Sequence, residues 1–400
     1  MNHVSARPWV AYVGPFQYPE GGAAARRVRG MAESLSMAGL DVVIASGAGD
    51  ATSKAGRLVA QGEGISWCLL GERVAEHWPR PLRRFRYAWM GGRTLEWLES
   101  RDSLPAAVIL YSGYTPYLQR LLPWCRRNGV RLLFDAVEWY EPARKWGYLV
   151  SPYQWNIEWS MRRLVPRVDG VIAISRYLAD YYRARGMPVA LIPPTTSLIA
   201  DNHWNPASSL RLCYAGQPGS KDELGIVLQA VGRLADQGAP LELTVAGPSR
   251  SDVLGLLETK SGNGPAWLRT PGMLAHPNVQ TLIGESDFTV LLRKPCRVSM
   301  AGFSTKFVES LARGTPVIAN LTGDLGSHLV DGKNGIVCKL PTVEGMSESL
   351  ARALLLPDHQ RQRMRRNAIR HAQEAFHPAV YAEQARMVLE QCVKDRRGGQ

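Results

Sequence analysis

Three features of the sequence predict an α/β protein made of two doubly wound parallel-sheet domains. Short apolar runs alternate with amphipathic helical stretches, as parallel strands joined by crossover helices do. The alternation breaks once, at the polar, turn-rich stretch "TTSLIADNHWNPASS" that follows Pro194. The two halves also open alike. "YVGPFQYPEGG" and "YAGQPGSKDEL" each run from an apolar strand through a glycine-bearing loop into a helix, the entry of a mononucleotide-binding (Rossmann-like) unit seen twice.

A length of 400 residues suits two such domains better than one core. The first is expected over 1–194, with strands at "PWVAYVG", "DVVIASG", "AAVILYS", "RLLFDAV", "GVIAIS" and "VALIPP". A linker is expected over 195–209. The second domain, over 210–377, takes its strands from "LRLCYAG", "LELTVAG", "DFTVLLR", "TPVIAN" and "NGIVC". Apolar positions at helical spacing in "HPAVYAEQARMVLEQCV" predict a last helix, over about 378–396, packing back on the first domain. Two such domains are expected to face each other across a cleft at the carboxyl ends of their sheets, where ligands usually bind.

Composition narrows the classes. Hydrophobic residues at 45% and charged residues at 21% are ordinary globular values. The six cysteines are scattered and form no C-x-x-C pair, a reduced pattern without a zinc signature. The amino terminus runs straight into a strand with no signal-peptide apolar region, and no apolar run of about 18 residues occurs, so the expectation is a cytoplasmic protein. A net charge of +13 points to an anionic partner. No helix-turn-helix, zinc-finger or RNA-binding signature is present, so nucleic acid is not the expected partner. Two patches, "HWPRPLRRFRYAWMGGR" and "EWYEPARKWGYLVSPYQWNIEWSMRR", interleave aromatics with cations. These leave open an anionic membrane face, with a peripheral place on its inner side, a sugar-stacking groove, or simply tryptophans that fill the core.

The segment "SMAGFSTKFVESLARGTPVIAN" carries the clearest chemistry. It places Lys306 in the first turn of a helix, where a cation opposes the helix dipole. Unpaired backbone amides at Ser304, Thr305 and Lys306 would make an anion site there, and a diphosphate would resolve the mismatch. Gly302 would allow close approach of the backbone, and Glu309 could accept two ribose hydroxyls. The same spacing also fits a surface Lys306–Glu309 pair worth only about 0.2–0.5 kcal/mol. In "YAGQPGSKDELGIVLQAV", Gly216 ends a strand and Lys221 stands at the start of the next helix, a second misplaced cation. Arg293 ends the strand "DFTVLLR". Lys221, Arg293 and Lys306 are therefore expected to converge on one diphosphate.

"GFSTKFVESLARGTPVIANLTGDLGSHLVDGKNGIV" resembles the donor-site segment of the GT-B glycosyltransferases, most closely glycosyltransferase family 4. "PEGGAAARRVRGMAESLSMAGLDVVIAS" is similar to that family's Gly-Gly loop and first helix, and "VDGVIAISRYLADYYRARGMPVALIPP" to the segment leading into its linker. The resemblance spans nearly the whole chain. It implies retaining transfer of a sugar from a nucleotide donor to an acceptor hydroxyl, usually without a bound metal, and the chain lacks a D-x-D metal motif. It further implies that Lys221 holds the donor diphosphate, with help from the backbone of Gly302, Phe303, Ser304 and Thr305, that Glu309 binds the ribose, and that Gly21 and Gly22 approach the phosphates and acceptor. The nucleotide sugar would be a co-substrate, with no resident cofactor, and the acceptor a glycan or lipid-linked glycan.

Two departures stand out. The first glutamate of the family's E-x7-E motif is Ala301 here. Many relatives place a histidine after the strand equivalent to "RLLFDAV", where this chain has Asp135 and Glu138. Glu138 is the candidate for a group near the reacting centre, alongside Lys221 and Arg293. A catalytically silent nucleotide-sugar-binding subunit and a sugar-nucleotide epimerase are the rival readings.

Overall fold

A computed structural model describes residues 7–48, 56–62, 64–72, 89–141, 151–198, 204–257 and 264–397. The chain separates into two units, one of Met1–Thr195 with Pro378–Gln400 and one of Thr196–His377. The stretch expected as a linker is anchored on the second unit. Thr196 donates its amide to the Phe376 carbonyl at 2.9 Å, and the Trp204 indole donates to Asp287 Oδ1 at 2.7 Å.

The first unit is built on an eight-stranded sheet: β1 (Trp9–Gly14), β2 (Asp41–Ser46), β3 (Val59–Gly62), β4 (Ile65–Leu69), β5 (Ala107–Tyr111), β6 (Arg131–Ala136), β7 (Gly170–Ala173) and β8 (Val189–Leu191). The order is β3-β4-β2-β1-β5-β6-β7-β8, and only the β3–β4 pair is antiparallel. β1, β5, β6 and β7 are nearly all apolar because helices cover both faces of a parallel sheet. The sequence reading missed β3 and β4. β3 is an exposed edge strand, "VAQG", with no alternation to reveal it. Helices α1 (Ala23–Met37), α2 (Gly92–Glu99), α3 (Tyr114–Arg127), α4 (Pro152–Trp159) and α5 (Arg176–Arg183) belong to this unit.

An ion pair is sealed inside it. The Arg27 guanidinium, on α1, donates to both carboxylate oxygens of Asp135, at 3.2 and 2.8 Å, and to the carbonyls of Ile192 and Pro193, at 2.7 and 2.8 Å. The Tyr12 hydroxyl donates to the same carboxylate. One side chain thus ties α1, the end of β6 and the exit of β8 together.

The second unit holds a six-stranded parallel sheet: β9 (Leu210–Ala215), β10 (Leu241–Ala246), β11 (Leu268–Gly272), β12 (Phe288–Leu291), β13 (Val317–Ala319) and β14 (Gly335–Val337), in the order β11-β10-β9-β12-β13-β14. Its helices are α6 (Leu224–Asp236), α7 (Arg250–Leu256), α8 (His276–Glu285), α9 (Arg297–Ala301), α10 (Thr305–Ala312), α11 (Val343–Leu354) and α12 (Asp358–Phe376). Strand order reverses between β9 and β12, so the loops leaving their carboxyl ends meet at a topological switch point. α10 starts because the Ser304 hydroxyl accepts from the Phe307 amide at 3.3 Å, and it buries Phe307, Val308 and Leu311. It stops before Gly314, whose φ of +73° suits glycine.

The last helix, α13 (Ala382–Arg397), returns to the first unit. Ala385, Val388 and Leu389 join the core formed by Val28, Met31 and Leu35 of α1. No helix among the described residues is long and apolar enough to cross a membrane.

Candidate active site

At the switch point of the second unit, backbone bonds fix the loops before any side chain does. Asp222, after β9, forms an antiparallel bridge with Arg293, after β12. The Glu223 amide donates to the Leu292 carbonyl at 2.9 Å, and the Lys294 amide to the Lys221 carbonyl at 2.8 Å. Asp222 also closes its own turn: its amide donates to the Gly219 carbonyl, and its carboxylate accepts from the Gly219 amide, both at 3.0 Å. From the end of β13, Asn320 accepts from the Arg293 amide at 2.9 Å and donates to the Arg293 carbonyl at 2.7 Å.

On this frame three charged side chains meet. Lys306 Nζ lies 3.1 Å from Asp222 Oδ2 and donates to the Tyr214 hydroxyl at 2.6 Å, over a ring whose centroid is 4.2 Å away. Arg293 Nε lies 3.4 Å from Asp222 Oδ1, and another guanidinium nitrogen donates to the Ser304 hydroxyl at 3.2 Å. Tyr214 in turn donates to Asp222 Oδ2 at 3.1 Å. Arg293 is only 5% exposed, so it is not a solvated surface charge. Gly216 makes room for the lysine stem: a Cβ there would stand 2.9 Å from Lys306 Cε, at a backbone φ of +121°.

Burial pushes the Lys306 ammonium down to about 8, with the Asp222 carboxylate opposing and the charges of Arg293 and Lys221 reinforcing the drop. Burial also opposes ionisation of Asp222, yet Lys306 and Arg293 together hold its carboxyl below the ordinary carboxylate range. Two cations, one carboxylate and the amino end of α10 leave the cluster with a net positive field.

Each expected site residue has a definite place. Lys306 faces Asp222 and not Glu309. Glu309 is mostly buried on α10, with its Oε1 3.6 Å from His276 Nε2 at the start of α8. Lys221 stands in the turn ahead of Leu224, where α6 begins, so the helix-dipole argument does not apply to it; its charge nonetheless acts on Lys306. The Phe303 side chain is occupied in an aromatic cluster with Phe307, Phe376 and His328, at centroid distances of 6.4, 5.8 and 5.5 Å, leaving only its backbone for a ligand. Gly302 has an ordinary φ of −92°, so no backbone constraint there calls for glycine. Ser304 is the cap of α10 and Thr305 its first residue. Asp222, Tyr214, Asn320 and His276 escaped the sequence reading. A single aspartate in a Gly-Ser-Lys-Asp turn reads as a turn former, and only the fold reveals its two cationic neighbours.

In the first unit, Gly22 precedes α1 with open space where a side chain would be. Gly21 is sterically required, since its Cβ would stand 2.5 Å from the Gln17 carbonyl oxygen. Asp135 is removed from the list of reactive groups by its buried pairing with Arg27. Glu138 follows β6. Burial first, then the charge of Glu138 and a hydrogen bond to it, push the Tyr140 hydroxyl well up, and Tyr111 and Tyr153 feel the same charge. Much of the two aromatic–cationic patches, residues 73–88 and 142–150, lies outside the described residues.

Two sheets with a doubly wound order, one of them carrying a cationic switch-point cluster, fit the GT-B class of glycosyltransferases. Residues 22–195 match the glycosyl transferase 4-like domain, and residues 203–371 match the glycosyl transferases group 1 domain. The chain belongs to the group 1 glycosyltransferases. Among solved structures, it is similar to the sucrose-phosphate synthase of Thermosynechococcus elongatus at 17% identity and a TM-score of 0.73, covering 97% of this chain and 100% of the other. A glycosyltransferase from Rickettsia africae matches at 11% identity and a TM-score of 0.66, covering 97% and 99%. Anabaena HepE in complex with UDP-glucose matches at 12% and 0.63, covering 96% and 100%. A search of curated protein sequences found no match.

Proposed function

We propose that this glycosyltransferase is a retaining enzyme that moves a sugar from a nucleotide sugar to an acceptor hydroxyl in the assembly of a polysaccharide or lipid-linked glycan. The observation that carries the reading is the gathering of Arg293 and Lys306 around Asp222 at the amino end of α10. In the reaction the bond from the anomeric carbon to phosphate breaks, and charge develops on the departing diphosphate. Arg293, Lys306, Lys221 and the amides of Ser304 and Thr305 would stabilise that charge, and preorganised donors of this kind commonly supply the largest share of catalysis. Glu309 would hold the ribose. The departing phosphate would accept the acceptor's proton, and Glu138 would orient the acceptor. The cations come from the protein, so the reading includes no resident metal or other cofactor.

The structural neighbour HepE, solved with UDP-glucose, puts UDP-sugars first among the donors to test. The test is release of nucleoside diphosphate from a panel of UDP, GDP, dTDP and ADP sugars, with NMR assignment of the product's anomeric configuration. Inversion would refute retention. Binding without turnover would favour the silent-subunit reading, for which the buried Ala301 is the specific support, because no carboxylate stands at that position.

The reading extends to peripheral attachment at an anionic membrane face. Trp155 and Trp159, on one side of α4, are 53% and 54% exposed, and Tyr153 on the same helix is exposed as well. The exposed Arg163 and Arg167 follow, with Arg126 of α3 donating to the Arg167 carbonyl at 3.3 Å. Exposed indoles and nearby guanidinium groups suit headgroups and phosphates. Vesicles containing anionic lipid should sediment the protein at low salt, and less so after Trp155→Ala with Trp159→Ala. No sedimentation at any salt would remove the membrane from the proposal.

A further inference from the structure

We propose that Asp222 is the positioning residue of the diphosphate site, holding the cationic ends of Lys306 and Arg293 side by side before the donor arrives. The inference rests on the reading that a nucleoside diphosphate binds at this cluster. It goes further by giving a role to a carboxylate placed where a negatively charged ligand should make one unwelcome.

That placement needs an explanation. A carboxylate 3.1 Å from Lys306 and 3.4 Å from Arg293 competes with the phosphates for both cations. Its position is not accidental, because it is set twice over by backbone: by the Gly219 turn and by the bridge to Arg293. The turn fixes Oδ2 through the Gly219 amide, and the same oxygen also accepts from Lys306 and Tyr214, contacts that closing the turn does not require. Without Asp222, two cations packed at the same spot would repel each other, and Tyr214 alone would hold the lysine side chain under the loop. With it, the flexible ammonium is fixed in advance, and the ordering cost is met in folding and not in binding.

The carboxylate also keeps Lys306 charged. The groups acting on the ammonium are Tyr214 from β9, Asp222 and Lys221 from the following loop, and Arg293 after β12, itself bonded to Ser304 at the start of α10. Asp222 is the only carboxylate among them, so it alone opposes burial, Arg293 and Lys221. The Arg293 Nε–Asp222 Oδ1 contact is the longer of the two, at 3.4 Å against 3.1 Å for Lys306, so Arg293 is the less tightly held of the two cations. The cluster keeps a net positive charge of about one from these three groups, more with Lys221.

The experiment measures binding of UDP and of inorganic pyrophosphate by the intact protein between pH 6.5 and 9.5, for the wild type, Asp222→Asn and Asp222→Glu. GDP and ADP stand in if UDP does not bind. In the wild type, affinity should fall as pH rises through about 8, as the Lys306 ammonium is lost. In Asp222→Asn the fall should move toward acid by roughly one pH unit, since an opposite charge at this distance holds a group's ionisation by about that much. At pH 7 nucleotide affinity should drop by about tenfold as the cations lose their fixed spacing. If Asp222→Asn does not fold, Asp222→Glu serves: it keeps the charge but misplaces it, so affinity should fall with the pH limb unmoved. A folded Asp222→Asn whose limb and affinity match the wild type overturns the role of Asp222 alone, as does an Asp222→Glu that binds like the wild type. A wild type that binds no nucleoside diphosphate or pyrophosphate at any pH overturns both this role and the donor-site reading beneath it.

Discussion

Replacing Lys306 by Met is the sharpest test of what the switch-point cluster does. Methionine keeps most of the stem that passes Gly216 and removes only the ammonium and its bonds to Tyr214 and Asp222. Burial, with the charges of Arg293 and Lys221 adding to it and Asp222 opposing it, pushes the Lys306 ammonium from 10.5 down to about 8, so the charged form is held at a net cost in the ligand-free site. A diphosphate that touches the ammonium can recover part of that cost, and a hydrogen bond to a charged group contributes about 1.5–3 kcal/mol. UDP, or the nucleoside diphosphate that binds best, should therefore bind Lys306→Met roughly 10- to 150-fold more weakly. Ligand-free melting should change little, because Asp222 keeps Arg293, Tyr214 and the Gly219 amide.

The pH dependence has opposite signs in the two measurements. Between about 8 and 10.5 the folded wild type holds fewer protons on Lys306 than the unfolded chain, so this residue adds stability as pH rises through that window. Nucleotide affinity falls over its lower part, because the ammonium is the binding form. Both trends should be missing from Lys306→Met. Calorimetric titration and ligand-induced melting shifts measure them. A variant that binds UDP within threefold of the wild type would place the diphosphate elsewhere and refute the reasoning.

Three further outcomes are expected. Gly216→Ala puts a Cβ against the Lys306 stem at a φ of +121°, and should cost about 1–3 kcal/mol in stability and abolish the UDP-induced melting shift; an unchanged shift would show that the stem can move without harm. Asp135→Asn leaves Arg27 buried without its charge partner and should destabilise the first unit by about 3–5 kcal/mol in urea unfolding followed by tryptophan fluorescence, whereas a loss below about 1 kcal/mol would contradict the sealed ion pair. Glu138→Gln should leave unfolding within about 0.5 kcal/mol of the wild type and lower turnover at unchanged donor affinity; normal turnover would remove Glu138 from the chemistry.

The fold was legible because its signal is repeated and local. Each buried parallel strand is a run such as "AAVILYS", and each domain opens with a strand, a glycine loop and a helix. What was illegible lacks such a signal: β3 is four exposed residues at a sheet edge, and β11, "LRTPG", is half-buried with a proline inside. The candidate site was half legible. Lys306 announced itself by standing at the wrong end of a helix, but its partner did not. Lys221 drew the same argument and stands outside the helix, in the turn that positions Asp222. Phe303 looked like part of the anion turn, and its ring belongs to the aromatic cluster with Phe376.

Local patterning, then, determined the fold class: strand and helix periods, glycine loops and the segment around Lys306 are properties of neighbours along the chain. Tertiary structure decided the chemistry of individual side chains. Asp135 and Asp222 are both aspartates near strand ends, yet one is locked beneath Arg27 in the interior and the other sits between two cations at a switch point. Charge pairing acts across space, between groups 84 and 108 positions apart in these cases, and no period in the sequence records which distant residues folding will bring to 3.1 and 2.8 Å.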